Sequence, residues 1–316
     1  MKTSSLVIVA LLASGCQGSQ SVTIGVQPLA VAAGTEVQNC YYLKTPIDQP
    51  MQVGHIKVNF AEGTHHVQLY YGAEPHQDGV ESCFQAVDFD KWHLLVAAQR
   101  DALDWQLPDG VAFELEPQQQ LLLQVHYVNV GMLTTAQDRG GGTITMESRP
   151  AGEVKQHMGS IFGQQRDIHI APQSTFSVEG LCTLPREVDM GAFAGHYHFR
   201  GKDFIGYKTD LAGVTGAQFY RSDNFSEPAF DVYDVAHPLH FGPGERIMWH
   251  CDYDNPTDVE VDFGPREADQ EHCNMFAFYY PAATAQEFTP CVSWDRCSTQ
   301  CTADQTCTMG GQCVAR

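Results

Sequence analysis

Short runs of β-branched and aromatic residues, broken every few positions by Gly, Pro, Asn or Asp, make up most of this chain, and few stretches could carry an amphipathic helix. The pattern predicts strands, the clearest being His55–Phe60, Leu121–Val128, Phe204–Lys208 and Met275–Tyr280. Many short strands with regular turns imply an all-β fold of sandwiches or jelly rolls. Glycine and proline concentrate at Gly140–Gly142 and Arg149–Gly152, between two comparable strand-rich halves. The expected organisation is two tandem jelly-roll-like β-sandwich domains, residues 21–150 and 151–291. A cysteine-rich tail, residues 292–316, follows with the spacing Cys297-x3-Cys301-x5-Cys307-x5-Cys313. The tail is too small for a hydrophobic core and is expected to be held by two disulfides. Its spacings lack the C-x2-C pairs of a zinc site.

Composition changes this picture in two ways. With 38 acidic against 18 basic side chains the formal net charge is -20, which repels phosphate backbones and argues against nucleic acid as a partner. Residues 1–16 read as an export signal: Lys2, the apolar stretch Leu6–Leu12, then Ala13-Ser14-Gly15-Cys16. Small residues before a cysteine resemble a bacterial lipoprotein processing site with Cys16 as the lipidated residue; an ordinary secretory signal is the alternative. Either sends the protein out of the cytoplasm, to the periplasm or cell surface or into the medium. Of the eleven cysteines, ten remain once Cys16 is set aside, an even number that suits oxidation in pairs. Nothing after Cys16 is long and apolar enough for a transmembrane helix, so membrane attachment is expected only through lipid.

The candidate chemistry lies in the histidines. His65 and His66 are adjacent, and neighbouring strand residues point to opposite faces, so the two can share an ion only at a strand end or bulge. Gly63-Thr64 just before them could supply that irregularity. His126, in Leu121–Tyr127, projects from a regular strand. His196 and His198 are two apart and would share one face of a strand. Imidazole is a borderline ligand for Cu, Zn, Fe and Ni. The bland reading for a lone histidine is a hydrogen-bonded structural or surface residue, and it is the reading for His55, His76, His157, His169, His237, His240 and His250. His93 stands apart as a candidate partner of a metal-bound imidazole.

Taken in order, Cys40-Tyr41-Tyr42, His65-His66, Gln124-Val125-His126-Tyr127, His196-x-His198 and Glu271-x-Cys273-Asn274 followed by Tyr279-Tyr280 resemble the copper type II ascorbate-dependent monooxygenases. This is the family of peptidylglycine α-hydroxylating monooxygenase and dopamine β-hydroxylase. The resemblance spans roughly Cys40 to Cys291. It implies an electron-transfer copper held by His65, His66 and His126, and an oxygen-activating copper held by His196 and His198. It also implies disulfides Cys40–Cys83, Cys182–Cys291 and Cys251–Cys273, and two copper ions with ascorbate or another reductant.

The family's third ligand at the second copper is a methionine immediately before a cysteine, and here that position is His272. An imidazole donates more strongly than a soft thioether and favours Cu(II), so reduction becomes harder. Met275, three positions along a strand, would point away. The peptide-amidating members hold a substrate carboxylate with an arginine, an asparagine and a tyrosine. Asn274 matches the asparagine, but Ala194 and Phe276 stand where the other two would be, which removes the bidentate donor. Asn274 is thus a candidate substrate contact, weighed against a satisfied structural amide. The expected function is an exported copper monooxygenase hydroxylating a C–H bond of a neutral or cationic small molecule with O2. The alternatives are copper storage or sensing on the same fold, and zinc hydrolysis at His196, His198 and His272, for which the sequence offers no evident general base.

Overall fold

The computed structural model of the protein describes residues 20–293 apart from 62, 73, 85–86, 100–101, 131–136, 140 and 211–214, with the backbone alone at 6–9, 137–139, 215, 293, 305–307 and 313–315. Cys16, Cys297 and Cys301 lie outside the described residues, and the expected lipidation and tail disulfides lie there with them. Cys307 and Cys313 are backbone partners in a short antiparallel ladder.

The fold is an all-β sandwich fold, as the strand pattern predicts. In the first half, Ser21–Val26, Gly142–Ser148, Met51–Phe60 and Val111–Leu115 form one sheet, with Ala102–Gln106 beside Met51–Phe60. Gly79–Ser82, Thr35–Lys44, Gln120–Asn129, Thr64–Gly72 and Trp92–Ala98 form the facing sheet. In the second half, Val188–His196, Cys273–Tyr280, Gly159–Gln165 and Phe288–Ser293 lie side by side, opposite Ser174–Thr183, Arg246–Asn255, Gly201–Thr209 and Thr215–Ser222.

Alternation explains the outer strands: in Ser21–Val26 the residues Val22, Ile24 and Val26 are buried and the others half-buried. Cys273–Tyr280 behaves differently, because all of its residues are buried. Its sheet is covered on both faces, which is why it reads as a continuous apolar run. Met275, Ala277 and Tyr279 enter the core of the second half, while Phe276, Phe278 and Tyr280 join the core of the first. Phe278 packs 4.8 Å from Trp105, Phe162 packs 4.7 Å from Phe89, and Ser160 Oγ donates to the Leu94 carbonyl. At about 1.5–3 kcal/mol for each large apolar side chain buried, this seam holds the halves firmly face to face.

The disulfides Cys40–Cys83, Cys182–Cys291 and Cys251–Cys273 are all formed. Cys251–Cys273 crosses between the two sheets of the second half beside Trp249, a fully buried indole. Gly163 and Gly180 leave room for that ring, since a Cβ on Gly180 would stand 2.0 Å from it.

Candidate metal centre

The first three histidines meet because of a bulge. His126 is the ladder partner of His66, and Tyr127 is the partner of Thr64, so His65 is the extra residue. Gly63 enters the bulge with φ 92°, a left-handed conformation suited to glycine. The irregularity expected from two adjacent histidines is present. Their ring centroids are 5.2 Å apart, and His126 lies 5.2 Å from His65 and 5.1 Å from His66. One ring nitrogen from each falls within 4.8 Å of the others.

The second pair meets by a different device from the one sequence spacing implies. His196 ends the strand Val188–His196, and His198 lies just beyond it, so the two do not share a strand face. A turn brings their centroids to 5.4 Å. Glu271 holds that turn, accepting from the amides of His198 at 3.0 Å and Arg200 at 2.9 Å. His272 follows Glu271, with its ring 5.4 Å from His196 and 4.5 Å from His198. Tyr253 fixes the same backbone by donating to the His272 carbonyl. Met275 packs against Gly163 in the second core, facing away from the histidines.

The two constellations form one cluster across the seam between the halves. His66 lies 4.8 Å from His196, and His65 lies 5.3 Å from His196 and 5.7 Å from His198. Gln99 touches both sets: its Oε1 accepts from His196 Nδ1 at 2.6 Å, and its Nε2 is 3.5 Å from His65 Nδ1.

Every one of the six histidines keeps one buried ring nitrogen without a hydrogen-bond partner among the described residues: Nε2 of His65, His196 and His198, and Nδ1 of His66, His126 and His272. On four of them the other nitrogen is held, His126 Nε2 by Glu36 at 2.7 Å, His196 Nδ1 by Gln99, His198 Nδ1 by the Gln270 carbonyl at 2.7 Å, and His65 Nδ1 by Gln99 Nε2 at 3.5 Å. One nitrogen oriented and the other left bare is the state of an imidazole prepared for a metal, and the His65, His66 and His126 set fits copper, whereas among the described residues His272 joins no group of ligand atoms within 4.8 Å of one another. Burial, reinforced by neighbouring imidazoles, holds His65, His66, His196 and His272 well below the ordinary histidine range. Burial takes His198 down to about 3 against the Gln270 hydrogen bond. Neutral rings are the form that can ligate.

Carboxylates surround the cluster. Burial pushes Glu271 up to about 8 despite its amide donors, and burial with Glu271 and Glu36 nearby pushes Glu267 well above the usual range. For Glu36 the cost of burial is outweighed by the His126 hydrogen bond and by the amides of Glu267 and Ala268, and its carboxyl is lowered.

Residues 157–309, which carry His196, His198 and His272, match the C-terminal domain of the copper type II ascorbate-dependent monooxygenases. The second half of the chain belongs to that family. The chain is 24% identical to peptidyl-glycine alpha-amidating monooxygenase A of Xenopus laevis over 87% of this chain and 30% of that protein. It is 25% identical to peptidylglycine alpha-amidating monooxygenase of Rattus norvegicus over 80% of this chain and 26% of that protein. It is 22% identical to the putative DBH-like monooxygenase protein 2 of Homo sapiens over 69% of this chain and 47% of that protein. The chain thus spans less than half the length of these relatives.

Several polar residues act beyond the sequence-derived set. Gln99, Glu36, Glu267 and Glu271 orient or face the histidines. His93 does not: it stacks on Phe288 at 5.1 Å and packs against Tyr71. His55, His169, His240 and His250 pair with surface carboxylates, and His76 stacks on Tyr42. Asn274 is the ladder partner of His196 and is buried, but its Oδ1 has no partner among the described residues, so it is not a satisfied structural amide. It faces a small pocket shared with His196, His272 and Gln164. Ala194 and Phe276 are ladder partners within the apolar seam. A larger cavity of about 530 Å³, lined by His65, Val128, Phe199, Phe225 and Glu267, opens beside the cluster.

Replacing Gln99 by leucine leaves His196 Nδ1 without its acceptor. Copper affinity is expected to fall about 10–100-fold, the usual effect of removing a group that orients a metal-bound imidazole. Competition against a chromophoric copper chelator reads the change directly, and wild-type affinity would show that Gln99 does not orient the ligand.

Proposed function

We propose that the protein is an exported copper-dependent monooxygenase that hydroxylates a C–H bond of a small neutral or cationic organic molecule. O2 and a reductant such as ascorbate would be its co-substrates. The observation that carries this reading is the set of six histidines, each with a buried, bare ring nitrogen, in a chain whose second half matches this family. His65, His66 and His126 would hold the electron-transfer copper, and His196, His198 and His272 the copper at which oxygen reacts. Bound copper would supply one-electron transfer and oxygen activation, chemistry that no side chain of the cluster provides. The protein's part is to orient the rings through Gln99, Glu36 and the Gln270 carbonyl, and through burial to exclude bulk water and hold His65, His66, His196, His198 and His272 neutral.

Asn274 Oδ1 is an acceptor for a substrate hydroxyl or ammonium beside His196 and His272. With Ala194 and Phe276 apolar and buried, nothing at those two positions could grip a carboxylate. The formed disulfides suit an oxidising compartment, in keeping with the signal-like residues 1–16 and a lipid anchor at Cys16. The domains, 21–150 and 151–291, would each contribute one ligand set.

Copper content measured together with reductant-dependent oxygen consumption tests the proposal. Two copper ions per chain and substrate-linked turnover support it. Tight copper retention with no oxygen uptake sinks it in favour of storage or sensing, a reading that the all-imidazole set at His272 favours. Replacing His272 by methionine is expected to raise the Cu(II)/Cu(I) potential of the second site by at least about 60 mV, a tenfold gain for Cu(I) in a one-electron couple. Reductant-driven oxygen uptake should rise with it. An unchanged potential and uptake would remove His272 from the explanation.

A further inference from the structure

We infer that the seam between the two halves holds a divalent-cation site of its own, formed by His65, His196 and His198 with the carboxylate of Glu267. This goes beyond the two-copper reading, because it draws one histidine from the first set, two from the second, and an acidic ligand from neither.

The geometry carries the assignment. Glu267 Oε2 lies 3.2 Å from His65 Nε2 and 3.5 Å from His198 Nε2. Although close, none of these three atoms makes a hydrogen bond. A tetrahedral ion with metal–ligand bonds of about 2.0–2.1 Å sets its ligand atoms about 3.3 Å apart, close to the two distances from Glu267 Oε2. His196 completes the group: its Nε2 is also bare, and one ring nitrogen from each of His65, His196 and His198 falls within 4.8 Å of the others.

The ligands are held from behind. Glu267 Oε1 accepts from the Phe199 amide at 3.1 Å, and the Glu267 amide donates to Glu36 at 3.0 Å. Gln99 and the Gln270 carbonyl hold His196 and His198. Glu267 is 4% exposed, so an ionised carboxylate there needs a cation to compensate its burial. Three imidazoles with one hard oxygen suit Zn(II) or Cu(II) and disfavour Cu(I). The site shares His65 with His66 and His126, and shares His196 and His198 with His272. An ion here therefore competes with full occupation of either set and ties the halves together.

Zn(II), which is redox-silent, is the probe. The full mature chain, metal-free, is titrated against a chromophoric chelator as wild type, as Glu267→Gln, and as the double variant His66→Ala/His272→Ala, which removes one ligand from each three-histidine set but none from the composite site. Glu267→Gln is expected to lose at least tenfold in Zn(II) affinity, and the double variant to keep one equivalent within threefold of wild type. X-ray absorption of the wild-type zinc complex should show imidazole with one carboxylate oxygen, and the oxygen should disappear in Glu267→Gln. Wild-type zinc affinity in Glu267→Gln, or a loss in the double variant as large as in Glu267→Gln, overturns the composite site. Neither result bears on copper-dependent oxygen uptake, so the two readings fail separately.

Discussion

Trp249→Ala is expected to destabilise the protein by about 3–5 kcal/mol, the range for deleting a buried large aromatic. The indole is fully buried, and two glycines, Gly163 and Gly180, are shaped to it, so neighbouring side chains cannot collapse into the space it leaves. Its Nε1 donates to the Cys273 carbonyl at 3.2 Å, and the residue before Cys273 is His272. The substitution therefore also removes a hydrogen bond to the backbone next to a proposed copper ligand. Denaturant unfolding of the metal-free protein measures the first effect, and a loss below about 1 kcal/mol would contradict the packing described. Copper affinity should fall in the same variant, because the backbone that carries His272 loses its support.

Stability of the metal-free protein is expected to peak near about pH 6.5, where the unfolded histidines begin to titrate. His65, His66, His196, His198 and His272 are all depressed in the folded state. Above that pH they are neutral whether folded or not, and they contribute nothing. Below it the unfolded chain binds protons that the folded chain refuses, and stability falls. For His198, held at about 3, the loss is about 1.4 kcal/mol by pH 5.5, and the other four act in the same direction. Glu271, raised to about 8, and Glu267, also raised, act oppositely. As pH falls from 8 they take up protons in the folded state first, so stability climbs until the histidines reverse the trend. Five imidazoles against two carboxyls give a net loss on the acid side. Thermal unfolding from pH 8.5 to 5 checks this, and a midpoint that keeps rising below pH 6 would contradict the burial of the cluster. Copper competes with protons for the bare nitrogens and should extend the stable range toward acid.

Much of this was legible in the chain. Adjacent histidines after Gly63 could converge only at a strand end or a bulge, and a bulge is there. The three disulfides followed from the family resemblance, since cysteine count alone leaves connectivity open. The merging of the histidine sets was not legible. It depends on which face of Cys273–Tyr280 meets the first half, and a strand apolar on both faces gives alternation nothing to choose between. His198 sits beyond its strand because spacing of two cannot say where a strand stops. Gln99, separated from His196 by 97 residues, is one glutamine among many until the fold brings it across. Glu267 lies in the charged run Arg266–Glu271, where a buried acid looks like a solvated one.

The sheet covered on both faces has a consequence for modularity. Phe162, Phe276 and Phe278 belong to the second half in sequence but to the first half's core in space. Cut at residue 150, the second half would present these rings to water as a flat aromatic patch of the kind that drives self-association. The unit matched as a C-terminal domain thus has an inner wall that is also its neighbour's, so each half is completed by the other.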